Sequence, residues 1–177
     1  MLEPNPQYRY IEVGEEQPVR EKSKYSPRIM VWAAVSWYGK SKLIFVDNNE
    51  SIDSEKYQAV VSKALPSINS MFPTGLEWIY QQDGARCHTS RSTRDWLSEQ
   101  GLETLEPWPA NSPDLNIIEN VFKERVYRRA FRTQQGLLRV VKDEWEKIEL
   151  DEIRKLVLSM PNRLQQVLDR NGGYTDY

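Results

Sequence analysis

The sequence predicts an α/β protein in which helices cover the faces of a mixed β-sheet. Residues 28–38 are almost continuously apolar in their middle, which is the pattern of a strand covered on both faces. Segments with helical periodicity follow and alternate with two shorter apolar runs. This order of hairpin, helix, strand, helix, strand and further helices is typical of one sheet flanked by helices.

The predicted sheet begins with a hairpin. The strand over residues 28–38 turns at Gly39-Lys40, and residues 42–46 return as its antiparallel partner. Four of the ten prolines fall within residues 1–27, so we predict an irregular lead-in there that contains at most one strand, Tyr8–Val13. The main domain is then expected to extend from residue 28 to residue 177.

Hydrophobic periodicity predicts the helices and the remaining strands. The helices are expected from Asp53 or Ser54 to about residue 69, from Thr89 or Ser90 to about residue 100, from Pro113 onward, and over residues 133–148 and 150–169. The strands between them are expected over residues 77–82 and 102–105. Proline removes a helical hydrogen bond, so Pro66 is predicted to kink or shorten the first helix and Pro161 to interrupt the last. Gly101 and the Asn171-Gly172-Gly173 sequence are natural helix stops.

The composition is that of an ordinary globular protein, with 39% apolar and 28% charged residues in 177. There is a single cysteine, Cys87, and no run of about 18 apolar residues. The sequence therefore predicts neither a disulfide framework nor a membrane-spanning helix, and we expect an intracellular protein without membrane partners.

The net charge of −2 does not by itself indicate nucleic-acid binding, but the basic residues are unevenly distributed. Between residues 123 and 142, a single acid, Glu124, stands among seven basic residues: Lys123, Arg125, Arg128, Arg129, Arg132, Arg139 and Lys142. This run is compatible with phosphate contacts and equally with a solvated helix surface.

Two polar motifs carry the candidate chemistry. Asp83 follows an apolar run and precedes Gly84, so its side chain is expected to emerge at the end of a strand. Glu119 lies within the predicted helix that follows Trp108-Pro109-Ala110-Asn111. Ser112 can cap this helix, Pro113 fits its first turn, and Asp114 complements its dipole: three start signals in adjacent positions.

The two motifs resemble the catalytic core of Tc/mariner transposases of the DDE superfamily. The matching stretches are Gln81 to Thr89 and Trp108 to Asn120, and the chain's last residues, Gly172 to Tyr177, are similar to the family's ending. The resemblance implies a ribonuclease H-like fold and metal-dependent cleavage and strand transfer of DNA. It assigns Asp83 and Glu119 as catalytic ligands of Mg²⁺ or Mn²⁺, the hard cations that carboxylates bind.

In the family, the first strand of the sheet carries a further catalytic aspartate. This strand does not appear in the sequence, and the resemblance places its Asp upstream of Met1, so we expect an N-terminally truncated domain. The acids before and after the hairpin lack the expected strand context: Glu3, Glu12, Glu15, Glu16 and Asp47. A missing strand exposes a sheet edge, which favours a homodimer or aggregation.

Each candidate residue also has a structural interpretation. Asp83 can form a turn before Gly84, and Glu119 can be an exposed helical acid that pairs with Lys123. His88, the only histidine, can orient Asp83, contact a phosphate or hydrogen-bond at a helix start. Arg86 is a phosphate candidate because its guanidinium group binds oxygens in pairs.

The expected function is that of a transposase-derived DDE endonuclease domain, acting on transposon ends and target DNA in the nucleus if the cell is eukaryotic. Without the first aspartate, this chain is expected to be inactive alone. Two alternatives remain open: a binding module for nucleic acid or protein that has lost its catalytic activity, and a transposon relic without function.

Overall fold

A computed structural model describes residues 27–46 and 51–177 of the chain. Within these ranges the protein has four short strands and six helices. The strand predicted at Tyr8–Val13 and almost all of the predicted lead-in lie outside the described residues. No helix in the described ranges is both long enough and apolar enough to cross a membrane.

The predicted hairpin is confirmed as two small antiparallel pairs. The strands are β1 (Met30–Trp32), β2 (Val35–Ser36), β3 (Gly39–Lys40) and β4 (Ile44–Val46). The outer pair is β1 with β4, in the register that opposes Val31 and Phe45, and the inner pair is β2 with β3.

The strand predicted over residues 28–38 is interrupted, and the physical reason is Ser41. The hydroxyl of Ser41 accepts the N–H of Ala34 at 2.8 Å, and the N–H of Ser41 donates to the carbonyl of Ala34 at 2.8 Å. This side-chain bond replaces a regular strand-to-strand bond. The predicted turn at Gly39-Lys40 is also wrong, because the chain reverses at Trp37 and Tyr38 and residues 39–40 form β3.

The two later strands are reduced to a single parallel bridge between Tyr80 and Thr104. Tyr80 donates its N–H to Glu103 at 2.7 Å and accepts the N–H of Leu105 at 3.0 Å. The described part of the chain thus contains both antiparallel and parallel pairing, but strands of the predicted lengths, 77–82 and 102–105, are not formed.

The helices largely follow their capping signals. They are α1 (Ser54–Asn69), α2 (Arg86–Thr89), α3 (Arg91–Glu99), α4 (Glu124–Tyr127), α5 (Gln134–Glu146) and α6 (Leu150–Asp169). Asp53, Ser90 and Thr133 are the N-caps of α1, α3 and α5, and each accepts a backbone N–H in the first turn. Gly101 follows α3 with φ +70°, and Asn171 follows α6 with φ +52°.

Pro66 does not shorten α1, and Pro161 does not interrupt α6, so these two predictions are wrong. Pro66 lies inside α1 and Pro161 inside α6, yet neither helix ends there. Both prolines are exposed, so water can solvate a backbone carbonyl that loses its helical partner. Ile68 and Arg163 follow them two residues later and are buried, which holds the next turn in place.

The helix predicted from Pro113 begins later, near Ile117, and includes a wide π-helical turn, Glu119–Lys123. Two of its three predicted start signals, Ser112 and Asp114, make other hydrogen bonds. The Ser112 hydroxyl donates to the carbonyl of Ala110 at 3.3 Å, and the Asp114 carboxylate accepts the N–H of Thr175 at 2.7 Å.

Two apolar clusters form the core. The larger packs Ile29 and the π-helical turn against α5 and α6, with buried members Val121, Phe122, Val126, Leu137, Val141, Trp145 and Ile153. The smaller packs α1 and α3 against the segment that contains the bridge, with buried members Tyr57, Val61, Tyr80, Leu97 and Leu102. Val121, Phe122 and Val126 thus face the core from the helix that contains Glu119.

Lys40 fastens the hairpin to the end of α5. Its ammonium group donates to the carbonyls of Trp145, Glu146 and Ile148, and the indole N–H of Trp145 donates to the carbonyl of Ser41 at 3.0 Å. A cation at a helix C-terminus satisfies carbonyls that have no helical partner and complements the helix dipole.

We expect Lys40→Met to lower the free energy of unfolding by about 2 kcal/mol, because the charged donor to three carbonyls is lost while most of the aliphatic stem is kept. Urea unfolding followed by tryptophan fluorescence measures the difference. Lys42→Met, at an exposed position two residues away, should leave the unfolding midpoint within error. Equal effects of both substitutions would contradict this role for Lys40.

Candidate active site

Asp83 lies three residues beyond the bridge at Tyr80 and just before α2. Its Oδ1 accepts the N–H of Ala85 at 3.1 Å, which is the geometry of an Asx turn. The interpretation of Asp83 as a turn residue is thus correct for Oδ1. It does not account for the other carboxylate oxygen. The side chain is 60% exposed, and its second oxygen, Oδ2, has no hydrogen-bond partner among the described residues.

His88 contacts the same carboxylate oxygen. Its Nδ1 lies 2.6 Å from Oδ1 of Asp83, although the ring N–H is not aligned as in an ideal hydrogen bond. This contact with His88, together with the N–H of Ala85, lowers the pKa of Asp83 despite partial burial of the carboxyl group. The geometry matches the first alternative for His88, in which it orients Asp83.

A buried polar network supports His88 from behind. The imidazole ring packs on Tyr57, with ring centroids 4.0 Å apart. The Tyr57 hydroxyl donates to Gln82, and the hydroxyls of Tyr57 and Tyr80 lie 2.9 Å apart, so that of Tyr80 is the donor between them. Gln82 in turn donates to the carbonyl of His88 at 3.3 Å. Burial raises the pKa of both tyrosines, which keeps them neutral.

Glu119 opens the π-helical turn, and wide turns of this kind are frequent at functional sites. Its Oε2 lies 2.9 Å from the ammonium group of Lys123, so the predicted ion pair one turn along the helix is present. Partial burial is the largest single influence on the pKa of Lys123 and lowers it, but the hydrogen bond to Glu119 and the negative charge of Glu119 together outweigh burial and raise the pKa.

The two motifs meet at one cleft. A cleft of about 360 Å³ is lined by residues 83–85 from the first motif and by residues 108–113, Asn116 and Glu119 from the second. Asp83 and Glu119 also both line a larger, mainly apolar cleft of about 610 Å³. Trp108 lines both clefts.

The donor set fits part of a divalent-cation site. Two carboxylates face one cleft, and Mg²⁺ is often held by one or two carboxylates together with water and substrate phosphates. No group of three histidine, cysteine or acidic side chains with metal-binding geometry occurs within residues 27–46 and 51–177.

The predicted basic residues occupy two different environments. Four of them form ion pairs: Lys123 with Glu119, Arg125 with Glu152 and Glu144, Arg128 with Glu124, and Arg129 with Glu144. Arg86 and Arg132 are exposed and have no ion-pair partner in the described ranges. The first group therefore also stabilises the fold, while the second keeps its charge for other contacts.

Glu144 is a buried acid that the sequence pattern did not single out, and it lines neither cleft. Its side chain is only 7% exposed, and it accepts Arg129 at 2.7 Å and Lys147 at 3.1 Å. The acid lies on α5 between the apolar positions Val141 and Trp145, so periodicity placed it near the core. The available signal was the excess of arginine in the preceding helix, because a buried carboxylate requires a cation.

This fold and its acidic cleft define a nuclease-like domain, and comparison with known proteins identifies its family. Residues 1–138 match the family model of the DDE superfamily endonucleases. The chain belongs to this family and, within it, to the Tc/mariner transposases.

The relatives include the transposases of two elements of Caenorhabditis elegans. The Tc3 transposase is 31% identical over 158 residues, covering 84% of this chain and 46% of the relative. The Tc1 transposase is 36% identical over 107 residues, covering 58% of this chain and 38% of the relative. The chain thus spans about half or less of the length of these relatives.

Solved structures of Mos1 mariner transposase share the fold. The Mos1 strand transfer complex superposes with a TM-score of 0.80 at 17% identity, covering 99% of this chain and 52% of that chain. The Mos1 catalytic domain superposes with a TM-score of 0.74 at 18% identity, covering 85% and 77%. The predicted ribonuclease H-like fold class is therefore confirmed.

Replacing His88 with alanine is expected to raise the pKa of Asp83 toward its ordinary value, because the contact that lowers it most is removed. Carbon-13 NMR titration of the carboxyl group measures this directly. Arg91→Ala, at an exposed position of the neighbouring α3, should leave the Asp83 titration as in the wild type. An unchanged pKa in His88→Ala would show that His88 does not stabilise the carboxylate.

Proposed function

We propose that this chain forms part of the catalytic domain of a transposase, in which Asp83 and Glu119 hold divalent cations for DNA cleavage and strand transfer. The observation that supports this most directly is that the two carboxylates, from separate motifs, line the same cleft. Because the chain spans about half or less of its relatives, the activity of the complete protein is part of the proposal.

The proposed cations are Mg²⁺ or Mn²⁺. Structures of the Mos1 catalytic domain have been solved with each of these metals. In this chain, Asp83 and Glu119 would bind them through oxygen atoms, which hard cations prefer. When bound, such ions activate the attacking oxygen and stabilise the leaving oxygen in phosphodiester chemistry.

The neighbouring side chains have separate tasks in this proposal. His88 occupies one oxygen of Asp83 and so fixes the orientation of the carboxylate toward the cleft. Lys123 balances the charge of Glu119, and with a cation bound at Glu119 its ammonium group would be free to contact a phosphate. Tyr57 and Gln82 restrain His88 itself.

The proposed partner is DNA. The similar Mos1 structures are described as a strand transfer complex and a paired-end complex with Mg²⁺. In this chain, Arg86 and Arg132 are candidates for phosphate contacts because both are exposed. A protein that acts on chromosomal DNA would work in the nucleus of a eukaryotic cell. The homodimer stays a prediction.

We expect the chain to bind Mn²⁺ in calorimetry, and both Asp83→Asn and Glu119→Gln to abolish the binding. Each substitution removes a ligand charge while keeping the shape of the side chain. Glu124→Gln is the matched control, because Glu124 is an exposed acid that follows the same π-helical turn and pairs with Arg128. Its Mn²⁺ affinity should equal that of the wild type.

The metal experiment separates the proposal from its main alternative. A folded wild-type chain with no saturable Mn²⁺ binding would contradict the metal site and favour a binding module that has lost its catalytic activity. Binding that survives both Asp83→Asn and Glu119→Gln would place the metal elsewhere and would also contradict the proposal.

For DNA, we expect Arg86→Gln and Arg132→Gln each to weaken binding to a short duplex and to reduce the slope of log affinity against log salt by about 1, because each removes about one phosphate contact. Fluorescence anisotropy between about 50 and 200 mM salt measures both quantities. Lys63→Gln, on the exposed side of α1, removes the same charge and should leave the slope unchanged. If Arg86→Gln, Arg132→Gln and Lys63→Gln all gave the same slope, specific phosphate contacts at Arg86 and Arg132 would be excluded.

A further inference from the structure

The last residues of the chain return to the motif that contains Glu119. The N–H of Thr175 donates to Oδ2 of Asp114 at 2.7 Å, and both residues are buried. Arg170 secures the approach, since its guanidinium group donates to the carbonyl of Tyr174 and to Asp176. Residues 172–177, which are similar to the family's ending, therefore pack against the fold. The proposed metal chemistry does not involve them.

Arg163 joins this ending to the same motif from the middle of α6. Its side chain is fully buried, with 0% exposure. Nη1 donates to Oδ1 of Asn120 at 2.6 Å and to the carbonyl of Asp114, and Nε donates to the hydroxyl of Ser159 at 2.8 Å. The ring of Tyr177 covers the guanidinium group at 4.1 Å from Cζ.

These contacts end one residue from the proposed metal ligand. Asn120 follows Glu119 in the π-helical turn, and Asp114 lies in the segment that leads into it. A buried guanidinium group is costly unless its geometry is well satisfied, and Nη2 of Arg163 has no partner within the described part of the chain. The other contacts of the Arg163 guanidinium group must therefore have good geometry. The contact with the ring of Tyr177 is one of them.

We propose that Arg163 is a positioning residue for Glu119 and that Thr175 and Tyr177 form a clasp that keeps Arg163 and Asp114 in register. The clasp acts through Asn120, whose side chain Arg163 holds. This inference rests on the proposed role of Glu119 as a metal ligand, and it extends that role to the C-terminal end of the chain. Outer contacts of this kind orient metal ligands in many sites.

Tyr177→Ala tests the clasp without disturbing the core, because Tyr177 is 46% exposed and belongs to neither apolar cluster. We expect this substitution to weaken Mn²⁺ binding about tenfold in calorimetry, the lower end of the effect of losing an outer contact. We also expect faster amide hydrogen exchange in Glu119–Lys123, while exchange in α1 stays unchanged. Tyr177→Phe keeps the ring over Arg163 and should restore both properties.

Tyr174→Ala is the matched control. Tyr174 lies in the same terminal segment, is 67% exposed, and contributes its backbone carbonyl rather than its ring to the contact with Arg170. This variant should bind Mn²⁺ as the wild type does and should show wild-type exchange at Glu119–Lys123.

The outcomes distinguish the clasp from the metal site. If the wild type binds Mn²⁺ and Tyr177→Ala binds it equally well, Glu119 is not positioned by the clasp, and the inference is overturned while the proposed function stands. If the wild type binds no Mn²⁺, the proposed function fails, and amide exchange alone decides the clasp. Wild-type exchange at Glu119–Lys123 in Tyr177→Ala would then overturn it.

Discussion

The meeting of two separate motifs at one cleft is the constraint on which this site depends. Asp83 comes from the first motif and Glu119 from the second, and both line the cleft. Each acid has a basic side chain beside it, His88 at Asp83 and Lys123 at Glu119. Both carboxylates are still partly exposed, so each stays accessible from the cleft.

The two acids are supported by separate parts of the chain. Asp83 depends on α1 and on the segment from Tyr80 to His88, which are joined by the buried tyrosine hydroxyls. Beside Glu119, the side chain of Asn120 is held by Arg163 of α6, and Asp114 is held by Thr175 near the end of the chain. Polar side chains from distant segments thus reach the surroundings of both acids.

Local chemistry made much of the fold predictable from the sequence. Capping at Asp53, Ser90 and Thr133 depends on residues within one turn, so the starts of three helices could be predicted.

The helix containing Glu119 began later than predicted because Asp114 binds Thr175, which is 61 positions away. Its expected capping role was overridden by this long-range contact, which no local pattern indicates. Asp83 and Glu119 could be predicted as cleft residues because they lie in recognisable motifs. The contacts that Tyr57 and Arg163 make near them could not be predicted, because these two residues belong to distant segments of the chain.

Charge pairing also changes how the basic run should be interpreted. Arg125 and Arg129 share the buried carboxylate of Glu144, and removing a buried acid from such a group leaves cations without a partner. Glu144, at 7% exposure, is the buried partner that needs these cations, while Arg125 also pairs with Glu152. A phosphate that approached them would have to compete with Glu144, whereas at Arg86 or Arg132 it would meet a solvated guanidinium group. In the proposed metal site, cations bound by Asp83 and Glu119 would add positive charge near a bound phosphate.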